Sequence, residues 1–173
     1  MLENMQKALE FLAHISQQFS VSQQNVHAYV LGEHGDSSFI PWSLANISNV
    51  PIRRYHEAVT NKKHEPLCEE RELEYVRKSG ADVIGRKGAT FYAVSASVCH
   101  ICKCLLNGID TPLTVSTMLH GEYGIDDVCL SLLNIVGRGK VSGKLILDLT
   151  DEEIVSLKKS ADCLKEIIRN TDI

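Results

Sequence analysis

His34 lies in the stretch "LGEHGDSS" (31–38), between Gly32 and Gly35, with Glu33 and Asp36 on either side. An imidazole titrates near pH ~6.5, so a histidine held at a surface can both give and take a proton. The two glycines let the backbone reverse sharply and leave room for a small ligand near the main chain. That combination suits general acid–base chemistry. Such a base also needs a partner on its second ring nitrogen to fix the tautomer. Glu33 and Asp36 are too close in sequence to be assigned that part. On residue types alone, His34 reads either as an acid/base or as a polar turn residue.

"CHICKC" (99–104) is the other cluster that could do chemistry, with three thiols and a histidine close together. Its C-x2-C-x-C spacing has no second half-site, so a structural zinc site is not expected. The stretch lies in a helical pattern with Cys99 and Cys102 one turn apart. Buried, reduced thiols are the expected reading for the six cysteines, since nothing marks the chain as secreted.

The elements that must position His34 follow from periodicity. Leu2, Met5, Leu9, Leu12, Ile15 and Phe19 recur every three or four residues and predict an amphipathic helix over 2–19. Residues 25–31 read as a strand and 37–47 as a second extended segment, with Pro41 marking an edge or interruption. A polar, irregular stretch with one helix follows. Residues 67–106 predict a helix, a glycine break and a second helix closed by Gly108. Three strands are expected at 112–119, 128–137 and 144–149, with glycine-rich turns between them. Thr150 and Glu153 form a capping-box pattern that opens a terminal helix. Strands come in runs instead of alternating with helices, so the fold class is α+β: an antiparallel sheet with flanking helices.

Composition narrows the function. The 173 residues carry a net charge of −4, which provides no basic field for nucleic acid or a membrane surface. No apolar run approaches a bilayer span. The N-terminus carries acids inside its apolar pattern, unlike a secretory signal, so a cytoplasmic location is expected. No G-x-G-x-x-G opens a βαβ unit and no P-loop is present.

"NVHAYVLGEHGDS" (25–37), "RKGATFYAVSASV" (86–98), "LHGEYGIDDVCLSLLNIVGR" (119–138) and "LTDEEIVSLKKSADCLKEII" (149–168) together resemble the C-terminal half of the NAD-dependent L-lactate dehydrogenases. The resemblance covers about 20–170. It implies that family's α+β substrate domain over 20–173, a divergent opening helix over 1–19, and no Rossmann domain in the chain. Malate dehydrogenases usually carry a second glycine where this chain has Glu33, which favours the lactate side. By resemblance, His34 is the catalytic histidine that protonates the keto oxygen of pyruvate. Thr90 is a substrate contact, and Val94 packs on the nicotinamide of NAD. His27 matches a histidine that binds fructose 1,6-bisphosphate in allosteric members. A homo-oligomer, tetramer or dimer, is also implied. Each residue has a plainer reading: Thr90 bonding its own helix, Val94 as core, His27 as a polar strand residue.

The departures matter as much. The family opens its first helix with an "LDxxR"-like motif, whose aspartate orients the histidine and whose arginine grips the substrate carboxylate. Matched by motif, Glu3 and Gln6 take those places; counted back from His34 without a gap, Lys7 and Glu10 do. Neither supplies the arginine, and the arginine expected beside His27 is missing too. The expectation is therefore the C-terminal portion of an L-lactate dehydrogenase, with little or no activity as an isolated chain. The alternative is a non-catalytic oligomerisation or interaction module that kept the fold.

Overall fold

The computed structural model describes residues 3–61, 63–88 and 91–171. Helix α1 (Glu3–Phe19) leads into a short antiparallel sheet of β1 (Val26–His27), β2 (Asn46–Ile47) and β3 (Val50–Pro51). A single helical turn, α2 (Tyr55–Ala58), precedes the long helices α3 (Glu69–Lys87) and α4 (Tyr92–Leu106). A second antiparallel sheet, β4 (Thr111–His120), β5 (Asp126–Gly137) and β6 (Lys140–Lys144), is followed by α5 (Asp151–Asn170). The antiparallel α+β class expected from the order of elements is the one observed.

Three apolar clusters hold these elements. Phe11, Ile15 and Phe19 on α1 pack with Val30, Ile47, Ile52 and Val76. Leu31 and Phe39 join Leu119, Leu130 and Leu132 of the second sheet and Leu157 of α5. Ile101 and Cys104 of α4 cover Leu113, Val115 and Val136. Val30 and Leu31 are neighbours in sequence yet enter different clusters. An extended backbone throws successive side chains to opposite sides, so the segment before His34 is stitched into two cores at once.

That double role explains why the strand expected over 25–31 is short. Only Val26 and His27 ladder with β2, while Gly32 bridges to Ser131 of β5. One segment cannot follow two sheets, so 28–31 is extended without a regular partner. In 37–47, Phe39 bridges to Leu31, Pro41 opens a turn, and ladder pairing returns only at Asn46. The last strand is Lys140–Lys144 instead of 144–149. Arg138 and Gly139 both have positive φ (51° and 79°) and complete a two-residue hairpin, so pairing resumes at once.

Gly88 ends α3 in the left-handed region at φ 78°, its N–H reaching Ile84 O. Gly80 and Gly85 lie inside the helix. Gly108 is not the left-handed cap expected of it; Asn107 closes α4 from extended backbone. The capping box at Thr150 and Glu153 is present, with both reciprocal bonds made. Of the cysteines, only Cys104 is buried; Cys68, Cys99, Cys102 and Cys129 are exposed, against the expectation of buried thiols. Ile101 and Cys104 take the core-facing side of α4, which leaves Cys99 and Cys102 outside. Among the described residues, no helix is long and apolar enough to cross a membrane.

Candidate functional site

The His34 loop is pinned at its neck. Leu31 and Phe39 exchange both backbone bonds (2.9 and 3.1 Å), and Gly32 exchanges both with Ser131 (3.1 and 2.9 Å). Gly32 has φ 91°, a conformation glycine adopts without steric cost. A Cβ there would lie 2.6 Å from Ser160 Oγ. Ser160, fully buried on α5, accepts the Glu33 N–H at 2.7 Å. Glu33 folds back to accept from Ser37 N (3.1 Å) and Ser37 Oγ (2.8 Å). The carboxylate next to His34 is thus spent on loop structure. His34 itself is exposed at the loop's tip.

Helix α1 grips the loop from the other side. Lys7 is buried, and its ammonium donates to His34 O (2.5 Å), Gly35 O (3.2 Å) and Ser38 Oγ (3.3 Å). Arg77 of α3 donates through Nε and Nη2 to Ser38 O (3.2 and 2.9 Å). Glu10, one turn after Lys7, accepts from Gln6 Nε2 (2.9 Å) and from Ser79 Oγ of α3 (2.7 Å). A His14–Glu72 contact of 2.8 Å, with Glu72 fully buried, and a stacked His14–Tyr75 pair extend the same α1–α3 seam. A cavity of about 250 Å³ opens beside His34, lined also by Gln6, Lys7, Glu10, Asp36 and Arg77.

Burial pushes the Lys7 ammonium below the ordinary lysine value of 10.5, while Glu33 and Asp36 pull it back up and Arg77 adds to the depression. A depressed folded value means that the unfolded chain binds more protons between that value and 10.5. The contribution of Lys7 is therefore unfavourable at neutral pH, and stability rises with pH across that window. Urea unfolding from pH 8 to 11 is expected to show the native sequence gaining stability relative to Lys7→Met as pH rises. Parallel pH profiles for the two proteins would remove the assignment.

The other predicted residues are not all brought together. Val94 is half-buried on α4 and is not among the described residues lining the His34 cavity. His27 is exposed on β1, opposite Asn46. Thr90 lies outside the described residues. Both members of the ungapped pair, Lys7 and Glu10, line the cavity, together with Gln6. Sequence reasoning missed Arg77 and Ser160, which carry no local motif and reach the loop only through the packing of α3 and α5.

Among the described residues, no strand passes through a glycine-rich turn into a helix to seat a pyrophosphate. No group of three or more His, Cys, Asp or Glu suited to a metal ion is found there either.

The fold and the pinned histidine loop define an α+β domain that presents one exposed imidazole to a small polar cavity. Residues 8–172 match the family model for the lactate/malate dehydrogenase alpha/beta C-terminal domain, and the chain belongs to that family. It is 41% identical over 159 residues to an L-lactate dehydrogenase of Acetivibrio thermocellus, covering 92% of this chain and 50% of that protein. A Bacillus pumilus L-lactate dehydrogenase is 40% identical over 154 residues, covering 89% of this chain and 48% of the relative. The structure of an L-lactate dehydrogenase from Clostridium thermocellum superposes with a TM-score of 0.86 at 32% identity, over 99% of this chain and 55% of that one. A malate dehydrogenase from Salinibacter ruber shares the fold at 21% identity, with a TM-score of 0.86 over 97% of this chain and 53% of its own. The chain spans about half the length of the relatives it matches.

Proposed function

We propose that this chain is the substrate-binding portion of an L-lactate dehydrogenase, with His34 passing a proton to and from the oxygen of pyruvate or lactate. The observation that carries this reading is the His34 loop, pinned by β5, α5 and Lys7 so that the imidazole faces a small cavity. Thr90 as a substrate contact and Val94 as a nicotinamide contact belong to the same reading, as does a phosphate role for exposed His27. NAD would be held mainly by a domain outside these residues, and a homo-oligomer is the expected assembly. The domain reading keeps 20–173 as the substrate domain and 1–19 as a divergent opening segment, within which α1 (Glu3–Phe19) packs onto the first sheet.

On its own the chain is expected to reduce pyruvate little or not at all. Glu10 and Asp36 line the cavity, and the two cations there already donate to loop oxygens. The carboxylate-gripping arginine that the resemblance calls for in the opening helix is missing, and Glu10 stands in its place in the ungapped register. The decisive measurement is NADH oxidation with pyruvate for the purified chain and its His34→Ala variant. Both are expected at the blank rate. Robust turnover abolished by His34→Ala would refute the claim of inactivity and leave the role of His34 standing.

The same Glu10 observation favours a second reading, a non-catalytic interaction module that retains the fold. A chain that stays monomeric in light scattering and enters no larger assembly with dehydrogenase subunits would exclude that reading.

A further inference from the structure

Packing accounts for only one of the three thiols in "CHICKC". The buried residues of α4 are Ser97, Ile101 and Cys104. Cys104 has His100 Nε2 3.8 Å from its sulfur. Cys99 and Cys102 are free and exposed. At about 100° per residue they fall within one turn of each other, on the side of the helix turned away from Ile101 and Cys104. Tyr92, Val98 and Leu106 are exposed on the same side, so both thiols lie on a face of α4 that the packing of this chain does not use.

Helical neighbours three apart hold their Cβ atoms about 5–6 Å from each other. A disulfide needs Cβ atoms about 3.5–4.5 Å apart. A direct S–S bond is therefore out of reach while α4 is intact, and a bridge through one larger atom spans the difference. No third His, Cys, Asp or Glu completes a metal-binding group there among the described residues. Among the described residues the pair alone is left, which suits a centre satisfied by two thiolates.

We propose that Cys99 and Cys102 form a two-thiolate site for soft, thiophilic centres, with trivalent organoarsenicals the class that fits. In the reaction with phenylarsine oxide, two As–S bonds form and the As–O linkage breaks. Both thiol protons leave with that oxygen as one water, and arsenic stays trivalent. The phenyl carbon supplies the third bond, so no further protein ligand is required. This site is independent of the His34 reading.

The test is intact-mass spectrometry of the whole chain with one equivalent of phenylarsine oxide, challenged with excess glutathione and then with 2,3-dimercaptopropanol. One phenylarsenic per chain is expected to survive the monothiol and to be stripped by the dithiol. Cys99→Ser and Cys102→Ser are each expected to weaken retention on the order of 10²-fold, because the second bond is no longer intramolecular. Cys68→Ser, Cys129→Ser and Cys163→Ser should retain the adduct. Far-UV circular dichroism confirms that α4 stays folded in each variant. Loss of the wild-type adduct to glutathione, or full retention in either Cys99→Ser or Cys102→Ser, would overturn the proposal.

Discussion

Glu10→Arg is expected to raise pyruvate reduction on the order of 10²-fold when this chain is fused behind the N-terminal half of the Acetivibrio thermocellus enzyme. Glu10 lines the His34 cavity one helical turn from Lys7, at the position where the ungapped register calls for a substrate-gripping arginine. Its carboxylate is held by Ser79 and Gln6 and faces any incoming carboxylate with like charge. A charge-assisted, two-pronged hydrogen bond from arginine contributes roughly 1.5–3 kcal/mol, which is one to two decades in rate. Glu10→Gln removes the charge without adding the fork and should gain no more than about tenfold. Steady-state kcat/KM for the three fusions decides the matter. Equal values for Gln and Arg would mean that position 10 does not face the substrate carboxylate.

Gly32→Ala is expected to destabilise the fold by about 3 kcal/mol. Two costs add. Positive φ costs a residue with a Cβ roughly 1–2 kcal/mol. The new methyl would also lie 2.6 Å from Ser160 Oγ, a buried atom on a packed helix, and overpacking costs about 1–3 kcal/mol. Urea midpoints of the single and double variants separate the two. In a Ser160→Ala background the backbone cost remains and most of the clash goes, so the penalty should shrink by about 1 kcal/mol. A penalty below 1 kcal/mol, or one unaffected by Ser160→Ala, would show that the loop neck yields easily.

Much of the architecture was legible from local pattern. The apolar stripes of α1 and α5, the Thr150–Glu153 cap, and strands β4 and β5 all follow from periodicities that a single element satisfies by itself. The segment before His34 was harder to read. Its apolar alternation is real, but Val30 and Leu31 serve two cores, and regular pairing gives way to single bridges. The β5–β6 turn is shorter than its glycines suggest, because positive φ at Arg138, a non-glycine residue, leaves no compositional mark. Gly108 resembles a cap by residue type alone, whereas Asn107 closes α4 from an extended conformation.

His34, its glycine loop and the family were determined by the sequence itself, because a strand-to-loop signature and its spelling are contiguous in the chain. So was the absence of an arginine at either candidate position in the opening helix. The use made of the replacements was decided only by tertiary structure. Lys7 reads as an exposed-type residue, yet α1 packs so that its ammonium is spent on three loop oxygens. Arg77 and Ser160 meet the same loop from α3 and α5, at separations no periodicity encodes. Sequence patterns report which face of an element is apolar. The pairing of long polar side chains depends on where two such faces come to rest against each other.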